Sequence, residues 1–140
     1  MTNPTTAAAL RELIKGTSDI QEELVTIPEW KSAEFLVRGL SGHERDRFES
    51  SMLKKTGSKG KPEIEMTDIR AKLVIETTWT PDGKEKVFSL GDKDWLTGKS
   101  SRALQRIFEV AQRLSGITDE DVEELAKNSL GEESDDSGSS

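Results

Sequence analysis

Apolar positions along this chain come in short runs of differing period, and most runs carry their own boundary signals. In "NPTTAAALRELIKGTSD", Leu10, Leu13 and Ile14 share one helical face and Gly16 supplies a stop. This predicts a short N-terminal helix with little to anchor it. "ELVTIPEWKSAEFLVRGLSG" has no helical period. Pro28 forbids a continuous helix and biases Ile27 towards an extended backbone. Two extended pieces, Leu24–Ile27 and Phe35–Arg38, are expected to pair as a β-hairpin with Trp30 near the connection. In "LSGHERDRFESSMLKK", Ser41 stands three residues before Glu44, the spacing of a capping box. Phe48, Met52 and Leu53 then form a narrow stripe on an otherwise charged surface helix.

The basic, Gly-rich "KKTGSKGKP", with Lys54, Lys55, Lys59 and Lys61, reads as a loop. "EMTDIRAKLVIETTWT" predicts about three helical turns. Ile69, Leu73 and Glu76 form one row there, with Val74 and Ile75 beside it and a β-branched end able to pass into a strand. Pro81-Asp82-Gly83 makes a turn that sets Thr78–Thr80 opposite Lys86–Phe88 as a second small hairpin. Ser89 and Asp92 cap a short helical stretch with Trp95 and Leu96. The strongest helical pattern is "SRALQRIFEVAQRLSG", opened by Ser100 or Ser101. Its Ala103, Leu104, Ile107, Phe108, Ala111 and Leu114 repeat every three or four residues, and Gly116 ends it. Thr118 and Asp121 open a final helix whose acidic first turn suits the helix dipole. Val122, Leu125 and Ala126 are its apolar face, and Leu130 is the last large apolar residue.

These elements predict an α+β fold, mainly helical, with small β-hairpin elements packed against four to five short helices. Residues 1–20 read as a helical extension, 21–129 as one α+β domain, and 130–140 as a disordered acidic tail without aromatic or β-branched residues.

Composition sharpens this. With 32% hydrophobic and 34% charged residues among 140, the core is thin and the surface heavily charged. No run of about 18 apolar residues exists for a transmembrane helix. The N-terminus lacks the basic start and apolar stretch of a secretory signal. Absence of cysteine removes disulfides and thiolate metal sites. A soluble cytoplasmic protein is expected. The net charge of −7 is concentrated at one end. Nine acids (Asp119, Glu120, Asp121, Glu123, Glu124, Glu132, Glu133, Asp135, Asp136) face one base, Lys127, beyond Thr118, which leaves the remainder at +1. That balance argues against general nucleic-acid binding, which needs Lys and Arg to neutralise phosphates.

Catalytic chemistry finds little support. The one histidine, His43, sits among charged residues at a helix start with no evident partner for general base catalysis. "TGKSS" matches the end of a phosphate-binding loop, but Lys93 occupies the position of the required first glycine. Gly98 more simply ends one helix while the serines cap the next. Neither "TDEDVEE" nor "EESDDS" follows the EF-hand pattern. The basic loop lacks interleaved aromatics for base stacking, and the three Trp are expected to complete a small core. The residues thus describe a non-enzymatic protein, without cofactor or metal, that works by binding other proteins.

Two segments carry more. "IPEWKSAEFLVRGLSGHERDRFESSM" resembles the N-terminal part of the tail assembly chaperones of long-tailed bacteriophages and prophages, with its extended "PEW" element followed by "VRGL(S/T)GxERDxFE". "FSLGDKDWLTGKSSRALQRIFEVAQRLSGITDEDVEELAKNS" resembles the rest, closing on "VAQRLSGxTxxDVEELAKNS". The likeness spans about Leu24 to Ser129 and leaves out the first twenty residues. It implies a chaperone, made in the cytoplasm of the infected bacterium, that binds the tape measure protein and keeps it soluble until major tail protein polymerises around it. Such a protein is absent from the finished virion. It also implies a programmed frameshift, placed near Leu130, Gly131, Glu132 and Glu133, that yields a longer second form. Oligomerisation, contact with major tail protein and contact with that longer form are compatible with this role. The last two helices are then the expected client contacts, through Phe108, Leu114, Val122 and Leu125, although stripes of this kind more often fill the protein's own core. A structural tail-completion or head–tail connector protein is the alternative, and a nucleic-acid regulator acting through residues 54–61 a more distant one.

Overall fold

The hairpin expected on either side of Pro28 nucleates a three-stranded antiparallel sheet. In the computed structural model, which describes residues 3–53 and 66–129, β1 (Glu22–Ile27) pairs with β2 (Ala33–Arg38), and β2 with β3 (Thr78–Trp79). The register sets Val25 opposite Phe35 and Ile27 opposite Ala33. Strand alternation then sends Val25, Ile27, Phe35 and Val37 to one face, which joins the core. Leu24, Thr26 and Glu34 point the other way and are exposed. Leu36 shares that outer face yet is buried, because it sits beside Trp79 and under the turn at Gly83. The connection contains a 3-10 turn, Pro28–Trp30, and then Lys31 and Ser32 at φ 57° and 59°. Two successive left-handed residues give a tight hairpin reversal of the twist that paired strands prefer.

The helices are α1 (Ala7–Gly16), α2 (Gly42–Leu53), α3 (Met66–Thr77), α4 (Lys93–Leu96), α5 (Ser101–Ser115) and α6 (Asp119–Ser129). α5 is the cover of the sheet. Its stripe of Ala103, Leu104, Ile107, Phe108 and Ala111 is buried, and it packs against β1, β2 and the 3-10 turn on one side and α3 on the other. Ser100 caps it by accepting from the Ala103 N–H at 3.2 Å, and Gly116 ends it at φ 71°.

α3 departs from the one-sided pattern expected of it. Ile69, Ala71, Lys72, Leu73, Val74, Ile75 and Thr77 are all buried. α2, α4, α5 and α6 all pack against α3, and a helix enclosed in this way needs no polar face. Its end runs straight into β3. The Thr77 and Thr78 hydroxyls donate back to the Leu73 and Val74 carbonyls at 2.7 and 2.6 Å, which satisfies the last turn in a buried setting.

Three capping boxes form as their spacing implied: Ser41 with Glu44, Ser89 with Asp92, and Thr118 with Asp121. The second hairpin closes through Thr80 N–H to Glu85 O and Val87 N–H to Thr78 O, with a single bridge from Trp79 to Lys86 instead of a full fourth strand. α1 forms, capped by Thr6, and Gly16 is its last helical residue, not a stop beyond it. None of its residues is buried. The Leu53 side chain, the basic loop at 54–61 and the tail at 130–140 lie outside the described residues.

Candidate functional site

Two aromatic pairs from distant parts of the chain frame an open groove of about 300 Å³. Trp30 and Phe35 come from the first hairpin and stack edge-on, with ring centroids 5.9 Å apart. Phe88, from the second hairpin, and Trp95, from α4, meet at 6.0 Å. Val87 and Leu96 complete an apolar lining, and Lys99 is its only charged member. Phe88 and Leu96 are buried, whereas Trp95 is 50% exposed and Leu90 beside it is exposed too. A half-exposed Trp at the edge of an open apolar groove is a candidate place for another apolar surface to bind.

The groove is held rigidly. Asp92 uses one carboxylate oxygen to accept from the Ser89 N–H at 2.8 Å and the other to accept from the Trp95 indole N–H at 3.0 Å. One residue therefore caps the α4 region and fixes the angle of a groove wall. On the opposite wall, Arg106 of α5 donates to both oxygens of Glu29 at 2.9 and 3.0 Å, pinning the turn that carries Trp30. A two-pronged Arg–carboxylate pair fixes orientation better than a single contact. The third tryptophan, Trp79, lies elsewhere, on the outer face of the sheet with the Arg38 guanidinium 4.4 Å over its ring. The expectation that all three Trp complete the core is thus corrected. Trp30 packs partly against it, Trp79 is covered by a cation, and Trp95 is open to solvent.

The residues expected to meet a partner occupy other positions. Phe108, Val122 and Leu125 are buried in the core, and Leu114 packs against it. α6 lies on α2 and α3, so its stripe is consumed internally. Phe108, Val122 and Leu125 are reachable only if α6 or α5 lifts, whereas Leu114 is partly exposed as the structure stands. His43 is exposed at the start of α2, and Gly98 and Ser100 separate and cap helices, with no cradle for a phosphate. Among the described residues no group of three His, Cys, Asp or Glu is placed to hold a metal ion, and no helix is long and apolar enough to cross a membrane.

Several carboxylates sit below their usual pKa. The Arg106 fork does this for Glu29, the Thr80 hydroxyl and Lys84 N–H for Asp82, and the Ser89 N–H and Trp95 indole for Asp92. For Asp121 the causes are the Thr118 N–H and hydroxyl, with Arg45 adding. A group whose pKa is depressed by folding contributes stability that is present above its unfolded pKa and lost as pH falls through the folded value. The melting temperature is therefore expected to hold from neutral pH down to about pH 5 and then to fall progressively below about pH 4. Circular dichroism melts from pH 7 to pH 2 measure this; a melting temperature that stays flat to pH 2.5 contradicts it.

A family model described as phage tail assembly chaperone matches residues 9–128. The match begins inside α1, earlier than the resemblance in sequence, and includes every residue of the groove. No curated protein matches the chain. Among solved structures, the chain is similar to the tail assembly chaperone of bacteriophage HK97, with 18% identity and a TM-score of 0.52 over 77% of this chain and 98% of that one. That likeness is one of fold. With the family model matching the chain from within α1 to within α6, the chain belongs to the phage tail assembly chaperone family.

Proposed function

We propose that this chaperone binds the tape measure protein of its phage through the Trp30–Trp95 groove and keeps it soluble until the tail tube polymerises. The protein acts in the cytoplasm of the infected bacterium, catalyses no reaction and leaves before the particle is complete. The observation that carries this reading is the open apolar groove, rigidly framed by Asp92 and by the Arg106–Glu29 pair. Its lining suits the apolar stripe of a helical client, the helix-in-groove mode of recognition. Two or three aliphatic side chains seated there contribute about 1.5–3 kcal/mol each, before the cost of association is subtracted. One groove is then a weak, reversible site. A long client with many such stripes is held by many copies, each easily displaced when tube protein arrives.

Co-expression with the tape measure protein of the same genome tests this. The soluble yield of the client is expected to rise severalfold and the two proteins to co-purify; no complex and no gain in solubility sinks the reading. Mass spectrometry of purified particles separates it from a structural tail-completion or connector role, which requires the chain to be present in them. Major tail protein and a frameshifted longer form are further proposed partners. The relevant positions, Leu130 to Glu133, lie outside the described residues, and a slippery run in their codons is the observation that bears on them.

A further inference from the structure

β1 is an outer strand of the sheet, with β2 on one side and no strand on the other among the described residues. The Gly39 N–H donates to Gln21 O, which fixes the phase of the β1–β2 ladder. Bonded and non-bonded pairs alternate in an antiparallel ladder. Glu23, Val25 and Ile27 therefore bond to β2, and the N–H and C=O of Glu22, Leu24 and Thr26 point away from it. None of these outward groups has a hydrogen bond among the described residues. Folded proteins usually guard such an edge with lysine, proline, a bulge or a covering segment. Glu22–Ile27 contains no lysine or proline and pairs with β2 without a bulge. Its two acids are occupied, Glu22 with Arg38 and Glu23 with Arg113. Leu24, in the middle of the strand, is 56% exposed.

We infer that an extended segment of the client adds to β1 as a further strand of the sheet. Outward N–H and C=O groups at strand spacing are satisfied by a chain in the extended conformation and not by a helix. The side chains along the edge say which extended chain fits. On the outer face, Leu24 offers an apolar neighbour. On the inner face, α5 runs beside β1, held by Arg113 on Glu23 and Arg106 on Glu29, each at 2.9 Å. Val25 and Val110 lie between these two ion pairs, packed against the core yet partly exposed. A guest strand thus meets apolar surface on both faces at its centre and a charge pair towards either end. A run of about five residues rich in Val, Ile, Thr or aromatic side chains, without proline, suits it. The edge also adjoins the groove: β1 ends at Ile27, and the Pro28–Trp30 turn that follows carries a groove wall. The inference rests on the reading that the tape measure protein is the client, and adds to it a contact made by the backbone. Backbone bonds read conformation more than sequence, which suits a chaperone holding a long client of varied sequence.

Amide hydrogen exchange of the isotope-labelled full chain, followed by NMR, tests it. In the free protein the Glu22, Leu24 and Thr26 amides are expected to exchange faster than those of Glu23, Val25 and Ile27. A soluble tape measure fragment from the same genome is expected to slow the first set at least about tenfold. Leu24→Pro removes one outward N–H and no bond of the β1–β2 ladder, at the kind of edge position where a sheet tolerates proline. It is expected to keep the wild-type circular dichroism spectrum and to raise the dissociation constant of the fragment about tenfold. Leu24→Lys keeps every backbone group and is expected to weaken binding as well, so the inference stays testable if proline disturbs the hairpin. A fragment whose binding is weakened by Trp95→Ala, but which leaves the outward amides exchanging as before, overturns the inference and leaves the groove standing. Binding indifferent to both Leu24 variants does the same. Slowed exchange at these amides, with binding indifferent to Trp95→Ala, supports the added strand and overturns the groove. A fragment that does not bind at all overturns both.

Discussion

Gly39→Ala is expected to destabilise the protein by about 1–3 kcal/mol, the cost of overfilling a packed site, and to lower its melting temperature by several degrees or more. Gly39 joins β2 to α2 where the chain passes the C-terminal end of α5. A Cβ there would stand 2.6 Å from the Leu114 carbonyl oxygen and 3.0 Å from its carbon. The obstacle is backbone, so no side-chain rotation relieves it. The chain cannot retreat either: the Gly39 N–H donates to Gln21 O at 2.9 Å, and the Leu40 N–H donates to the Ser115 hydroxyl at 3.1 Å. Gly42→Ala is the matched control. Nothing lies within 4 Å of a Cβ at Gly42, the first residue of α2, and alanine favours helix over glycine. Its melting temperature is expected to be unchanged or slightly higher. Equal melting curves for Gly39→Ala and the wild type would refute the close approach.

Trp95→Ala is expected to weaken client binding by about 30-fold, the loss expected when about 2 kcal/mol of a hot-spot aromatic is removed. Its effect on folding should be small, because half of the side chain is already in solvent. Phe108→Leu should do the reverse. Phe108 is buried between the sheet and α3, so this nearly volume-conserving change costs up to about 1.5 kcal/mol of stability and leaves the groove intact. Titration of each variant with a soluble tape measure fragment, alongside thermal melts, separates the two surfaces. If Phe108→Leu weakens binding without lowering the melting temperature while Trp95→Ala does not, the last two helices, not the groove, are the binding surface.

Local signals are legible in the chain because they depend on neighbours. The capping boxes at Ser41, Ser89 and Thr118 involve residues three apart, and each forms. Pro28 and the lack of a helical period around it locate the first hairpin, and the stripe from Ala103 to Ala111 locates α5. The groove was not legible for the opposite reason. Trp30, Phe35, Phe88 and Trp95 come from segments up to about 65 residues apart, none long enough to show a period. Each alone is indistinguishable from a core aromatic. The stripes of α5 and α6 posed the complementary problem. An amphipathic helix shows the same spacing whether its partner is another molecule or its own sheet, so spacing alone does not tell that Phe108, Val122 and Leu125 enter the core and that Leu114 packs against it. The isolated charges that frame the groove, Glu29 with Arg106, are 77 residues apart and equally silent in sequence.

The cover that α5 lays over the sheet has a consequence for synthesis on the ribosome. Both strands of the first hairpin are complete by Arg38, but the helix that shields their apolar face ends at Ser115. Bacterial elongation at about 5–20 residues per second leaves that gap of roughly 80 residues open for about 4–16 s. During this interval Val25, Ile27, Phe35 and Val37 have no helix above them, and β2 presents an edge that stays unpaired until β3 is made. A nascent chain in this state is itself in need of protection, so the yield of this chaperone should rise when translation is fast between β2 and α5 and fall when rare codons stall it there.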